Sequence, residues 1–205
     1  QSYGAPRVHA ELAAQGVACC RNTIAKLMRR EQIVPRAIRK FRVTTNSGNT
    51  KAVSPNLLRR RFTAKRPNAC WLSDITYIPT REGWLYLAAV MDSDALQMAI
   101  ARRGVPEIVH SDRGSTYATW LYRDLIRKHL IRQSMSRKAN CWDNAPMESF
   151  FHSLKTDLVM HCDYQTRDEA RASLFEYMEV FYNRQRRHST INYVAPLAFE
   201  ESTIA

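Results

Sequence analysis

Apolar residues first recur along this chain at helical spacing, in two short stretches near its start. Leu12 and Ala13 share a face, Gly16 interrupts, and Thr23 to Arg30 resumes with Ile24, Leu27 and Met28. Pro6 suits a first helical turn. From Val34 to Arg66 the rhythm lapses. It returns as alternation: Trp71 to Pro79 and Trp84 to Met91 read as strands joined by a turn at Arg81-Glu82-Gly83, a hairpin. Asp94 to Ile100 reads as a helix, and Ile108-Val109 as a buried strand running into a polar turn.

Further on, Tyr117 to His129 reads as a helix with Trp120, Leu121 and Leu125 inward, Arg132 to Met135 as a short strand, and Ser136 to Asp143 as a loop. A helix follows from Ala145, with Asn144 as its cap, Pro146 in its first turn and Met147, Phe151, Leu154 and Leu158 as its buried stripe. Thr166-Arg167-Asp168-Glu169 is a capping box before a long helix that points Ala170, Leu174, Met178 and Phe181 inward. Strands alternating with helices define an α/β body preceded by a small all-α region. The expected divisions are residues 1–35, a helical pair; 36–66, a linker; and 67–205, the body.

Charge sharpens that division. The 205 residues carry a formal net charge of +12. Residues 1–66 hold 15 Lys and Arg against Glu11 and Glu31, so the remainder is near neutral. A basic arm on a neutral body suits a polyanion partner. In the linker Arg36, Arg39-Lys40, Arg42 and Arg59-Arg60-Arg61 would neutralise phosphates without choosing sequence. The helical pair is either a helix-turn-helix, with Arg21, Asn22, Lys26 and Arg29 facing DNA, or a plain hairpin with a solvated basic face. Five cysteines, an odd number with no C-x-x-C spacing, argue against a zinc ribbon or a disulfide framework and point to reduced thiols. No apolar run approaches a membrane span, so no membrane partner is expected.

Candidate chemistry rests on three carboxylates. Asp112 stands where the Ile108-Val109 strand meets its turn, where ligands usually bind in open α/β sheets. Glu148 follows with 35 residues between, and Asp74 lies in the strand-like Trp71 to Ile78. Each alone reads as a solvated acid at an element end. Converging, they would repel and call for hard divalent cations, which take oxygen ligands and can clamp both oxygens of an in-line displacement. Glu148, His152 and Lys155 share one helix face by spacing, and a polar face is the plainer reading of His152.

The motifs W-x-x-D-I-T-Y at Asp74, H-S-D-R-G-S-x-Y at Asp112, D-N-A-x-x-E-S-F at Glu148, and Tyr182-Asn183 with Arg186 and His188 resemble those of the second-frame transposases of the insertion-sequence family numbered three, relatives of retroviral integrases. Tyr3-Gly4-x-Pro6-Arg7 resembles that family's helix-turn-helix module. The resemblance implies a ribonuclease-H-like mixed sheet flanked by helices, with Asp74, Asp112 and Glu148 as catalytic metal ligands for two Mg²⁺ or Mn²⁺. It implies double-stranded DNA as partner, both element ends and target, a homo-oligomer on that DNA, and a cytoplasmic, nucleoid-associated setting. Lys155 is then expected to contact DNA phosphate. Arg186 and Arg187 would either grip DNA or lock the last helix onto the core.

The chain departs from that family after Asp92. A third antiparallel strand and its connections, about 15 to 20 residues by usual lengths, are expected there, yet Ser93 alone separates the strand end from the next helix. Asp92 itself reads as a helix cap or an auxiliary carboxylate. Thr116 stands for the family's Gln, and Ala139 and Asn192 for its glycines. Three functions are therefore weighed: metal-dependent DNA strand cleavage and transfer, DNA binding by a catalytically inactive copy, and a helix-turn-helix regulator with a ligand-binding body.

Overall fold

A computed structural model describes residues 3–35, 53–64, 66–89, 93–138 and 140–204. The expectations for Arg36, Arg39, Lys40, Arg42, Asp92 and Ala139 lie outside these residues. Two compact units divide the chain. One gathers residues 1–41, 80–82 and 153–205, and the other residues 42–79 and 83–152.

The second unit holds the sheet. Its strands are β1 (Cys70–Thr80), β2 (Gly83–Ala89), β3 (Ile108–Ser111) and β4 (Arg132–Met135), in the order β2-β1-β3-β4. Only two residues separate β1 from β2, so they run antiparallel, and Gly83 takes the positive φ of 109° that such a tight turn favours. β3 pairs in parallel with both β1 and β4, giving a mixed sheet. Val109, His110 and Ser111 are all buried, which is why the central strand reads as unbroken rather than alternating. Among the described residues no strand lies beyond β2, as expected from the short connection after Asp92.

Helix α4 (Trp120–Lys128) crosses between the parallel strands β3 and β4, α3 (Ser93–Arg103) links β2 to β3, and both helices supply one core. Leu96, Val109, Tyr117, Tyr122, Ile126, Ile131 and Met135 form it, with Trp71, Ile75 and Leu125 packed alongside. The inward face of α4 differs from expectation. Tyr117 sits in a separate 3₁₀ turn, Ser115–Ala118, and the Thr119 side chain caps the helix that begins at Trp120. That start turns Tyr122 and Ile126 inward and leaves Trp120 and Leu121 73% and 61% exposed.

The segment 53–60, expected as linker, belongs to the sheet unit. Ser54 Oγ donates to Gln133, the Leu57 amide donates to Ser134 Oγ at 2.9 Å, and Leu58 is buried. Its polar bonds to β4 replace the apolar rhythm by which the sequence would have announced packing.

In the first unit, α1 (Ala5–Ala14) and α2 (Arg21–Arg30) form the expected pair, with Gly16 at φ 80° between them. Ile24 and Met28 are buried, whereas Leu27, expected to join them, is exposed. α5 (Ala145–Asp157) spans the boundary between the units. α6 (Arg167–Phe175) is capped by Thr166 and continues as a π-helical stretch, Glu176–Tyr182, before α7 (Pro196–Ile204). Ala170, Leu174 and Tyr177 face inward, while Met178 and Phe181 are half-buried. Tyr177 takes the buried place because its hydroxyl donates to Asp157 Oδ2 at 3.0 Å.

Candidate active site

Backbone register brings the first two acids together. β1 and β3 pair through Ser73 and Ser111, so Asp74 on β1 and Asp112, the residue after β3, each stand one step past that rung. Neighbouring strands run about 4.8 Å apart. Ser73 and Ser111 point into the sheet's buried face, and the Ser73 hydroxyl donates to the Tyr117 hydroxyl at 3.3 Å. The Tyr117 hydroxyl is raised well above its ordinary pKa, first by burial and then by the negative charges of Asp112 and Asp74, which both reach it.

Each aspartate is held by a main-chain amide. The Ile75 amide donates to Asp74 Oδ1 at 2.8 Å, and the Gly114 amide to Asp112 Oδ1 at 2.8 Å. Gly114 leaves room for this carboxylate: a Cβ built on it would lie 2.9 Å from Asp112 Oδ1 and 3.3 Å from the Tyr117 ring.

Glu148 lies in the first turn of α5. That helix is tied to β1 by Asn144, one helical turn earlier, whose Nδ2 donates to the Ser73 carbonyl at 3.3 Å. Asn144 was expected to cap α5; its amide instead bridges to the strand, and its Oδ1 is buried without a partner. Glu148 is pushed above the usual carboxylate pKa by burial and then by the charge of Asp112, and Asp112 is itself pushed up by burial. Two acids made costly to ionise by burial, with the charge of Asp112 adding to the cost at Glu148, are a donor set suited to a cation. Among the described residues no group of three His, Cys, Asp or Glu side chains is already drawn together as a metal cage. The chemistry of the donors fits a hard divalent ion, and the side chains would have to close on it.

The remaining expected contacts fall in several places. Arg21, Asn22, Lys26 and Arg29 are all exposed on α2. Arg59, Arg60 and Arg61 are exposed in the sheet unit, and His152 is exposed on α5. Lys155 is half-buried on α5 within the first unit. Arg186 is the correction. It is 3% exposed, and its Nε donates to Asp157 Oδ2 at 3.1 Å while Nη2 donates to Ser153 Oγ. Burial inside an ion pair takes it out of reach of DNA. Its neighbour Arg187 faces α1 instead: Nε pairs with Glu11 at 2.6 Å, and its carbonyl accepts from Arg7 at 3.0 Å.

One group escaped sequence reasoning. His110 bonds Ser134 Oγ at 2.7 Å through Nδ1 and the Asp143 carbonyl at 2.8 Å through Nε2. A histidine inside a strand buried on both faces requires a partner at each ring nitrogen, and that was the available signal.

Comparison with known proteins agrees with this architecture. An HTH-like domain profile matches residues 1–41, and two integrase core domain profiles match residues 93–141 and 148–204. The chain is 41% identical over 223 residues to the insertion element IS600 31 kDa protein of Shigella sonnei, covering 98% of this chain and 82% of that one. It is 42% identical over 227 residues to the transposase InsF of insertion sequence IS3A from Escherichia coli K12, covering 100% of this chain and 79% of InsF. Among solved structures, a chain of the simian T-cell lymphotropic virus intasome in complex with PP2A regulatory subunit B56 gamma superposes with a TM-score of 0.53 at 13% identity. That match covers 96% of this chain and 74% of the other, and it is a likeness of fold.

A mixed sheet with flanking helices behind a helix-turn-helix-like module defines an integrase-core protein. The chain belongs to the InsF-type transposases of the IS3 family. The InsF alignment covers 227 positions against a chain of 205, a difference of 22, so at least that many InsF positions face no residue here. The shortfall is of the size expected for a strand with its connections.

Proposed function

We propose that this protein cleaves and joins DNA strands during transposition of an insertion sequence, with Asp74, Asp112 and Glu148 holding two divalent ions, Mg²⁺ or Mn²⁺. The observation that carries the reading is the pairing of β1 with β3, which sets Asp74 on β1 beside Asp112 one residue past the end of β3, with Glu148 close enough to Asp112 for their charges to interact. Such ions, when bound, stabilise the attacking and leaving oxygens of an in-line displacement.

The protein's own groups do the rest. The Ile75 and Gly114 amides fix one oxygen of each aspartate. Asn144 holds the start of α5 to β1 and so fixes where Glu148 enters. In the first step the oxygen of water bonds to phosphorus and a 3′-oxygen leaves. In the second the freed 3′-hydroxyl attacks a target phosphodiester, and the target strand's own 3′-oxygen departs. Neither step needs a covalent protein intermediate.

Double-stranded DNA, as element end and as target, is the proposed partner. Arg21, Asn22, Lys26 and Arg29 on the exposed face of α2 would read the groove. Arg59, Arg60, Arg61 and Lys155 would meet phosphate. Assembly into a homo-oligomer on paired ends is part of the proposal.

The test is nicking and joining of an end-containing duplex by the purified chain with Mg²⁺ or Mn²⁺. Loss of both reactions in Glu148→Gln is expected, and undiminished activity in that variant would count against the assignment. A second reading, DNA binding without cleavage, is favoured by the shortfall against InsF and by the open arrangement of the three acids. Gel-shift binding with no cleavage under either metal selects it.

A further inference from the structure

Asp143 is held by three side chains and one main-chain amide. Its side chain is fully buried. Arg137 grips it with Nε on Oδ2 and Nη2 on Oδ1, both at 2.8 Å, and adds its main-chain amide to Oδ2 at 3.0 Å. Arg60 Nε donates to Oδ1 at 2.9 Å, and Asn56 Nδ2 to Oδ2 at 2.9 Å. The Asp143 carbonyl accepts from His110 in the central strand. Asp143 lies in the 3₁₀ turn Cys141–Asn144 that leads directly into α5, five residues before Glu148.

Two features of this hub go beyond holding a loop. Two guanidinium charges surround one carboxylate, leaving a surplus positive charge, and the Arg60 and Arg137 side chains remain 46% and 56% exposed. Each guanidinium carries five N–H donors on three nitrogens. Arg137 uses two nitrogens on Asp143, and Arg60 uses one there and a second on Asn140 at 3.0 Å. Further donors remain on each for an outside anion. The backbone that brings Arg60 in is also strained, since Arg59 and Arg60 take φ of 48° and 64° in succession. The Arg59 amide donates to Asn56 Oδ1 at 2.8 Å, so Asn56 and Asp143 together hold the strained turn.

We propose that Asp143 is a positioning residue, and that Arg60 and Arg137 around it form a seat for a DNA phosphodiester whose occupation orders the start of α5 and thereby Glu148. The phosphate adds to the hub as a second anion rather than displacing the buried carboxylate. It balances the surplus charge and ties the Asn56–Arg60 turn and the 137–144 loop together from outside. DNA on the basic segment then acts on Glu148 through contacts already in place. This rests on the reading of Glu148 as a site residue, and its test does not require cleavage.

Hydrogen exchange over residues 137–148 of the full chain, with and without a random-sequence duplex oligonucleotide, reads the coupling. Wild-type protein should exchange roughly tenfold more slowly there with duplex bound, and added salt should reverse the effect. Arg60→Gln and Arg137→Gln, each checked for a native circular dichroism spectrum, should weaken duplex binding and should abolish the slowing even at duplex concentrations raised until each variant is saturated. Asp143→Asn, which keeps an acceptor but not the charge, should speed exchange without DNA. Equal protection by duplex in wild type and both arginine variants overturns the proposal, as does wild-type protein that binds duplex with no protection of residues 137–148. If protection is seen in a protein that never nicks DNA, the positioning role stands and the strand-transfer reading falls.

Discussion

The side-chain amide of Asn144 donates to the main-chain oxygen of Ser73 at 3.3 Å, joining the approach to α5 to the strand residue just before Asp74. Replacing Asn144 by Ala removes one hydrogen bond but also the buried Oδ1 that has no partner. Those effects oppose each other, so the stability change should stay within about 1 kcal/mol. Metal-dependent nicking should fall at least about tenfold, since a misplaced Glu148 costs rate rather than fold. Urea unfolding and a nicking assay on the same preparation separate the two.

Gly114→Ala tests the space around Asp112. The backbone there is ordinary, with φ −57°, so strain is not the issue. The added methyl meets Asp112 Oδ1 at 2.9 Å, and the carboxylate must swing away from the Gly114 amide that holds it. Overpacking of this kind costs about 1 to 3 kcal/mol. The expected outcome is a cut in nicking larger than the loss of stability accounts for, with DNA affinity measured by gel shift unchanged.

Asp112 and Glu148 give the chain a particular pH behaviour. Both have pKa values raised in the folded state, so the fold binds their protons more tightly than the unfolded chain does. Their ionisation therefore costs stability as pH rises from the ordinary carboxylate range through the raised folded values. Glu148→Gln should be more stable than wild type at neutral pH, and the advantage should shrink as pH falls through the raised folded value and be gone below about 4. Mg²⁺ should raise the melting temperature of wild type at neutral pH and that of Glu148→Gln much less. An equal shift in both would place the metal elsewhere.

Arg186 and Asp157 bury an ion pair with 4% and 6% of their side chains exposed. Removing one partner from such a pair strands the other charge and costs about 3 to 5 kcal/mol. Arg186→Ala should therefore unfold at markedly lower urea. Double substitution to Arg186→Met with Asp157→Leu should recover much of the loss and leave the salt dependence of DNA binding as in wild type. A reduced salt slope in the folded double variant would return Arg186 to the DNA surface.

The strands and most helix boundaries were legible because each is written locally. Alternation marks β1, and an apolar pair running into a turn marks β3 and Asp112. The extent of β4 was read to the residue. What stayed hidden depends on pairing across the chain. Asn56 and Arg60 meet Asp143 from 87 and 83 residues away, and nothing near either end announces it. The phase of α4 was misread because the start of the helix was taken at Tyr117, whereas Thr119 supplies the cap and turns Trp120 outward. Arg186 and Arg187 look alike in sequence, yet one faces α5 and the other α1. Asn192, standing where a glycine was expected, does take a left-handed φ of 57°, which asparagine tolerates better than most residues.

The contacts of Arg187 with Glu11 and Arg7 have a consequence for biosynthesis. α1 is synthesised ahead of the residues it bonds, and Glu11 precedes Arg187 by 176 positions. The first unit therefore reaches its final form only after Arg187 has been made, and until then a nascent chain carries a helical pair that is made but not yet seated.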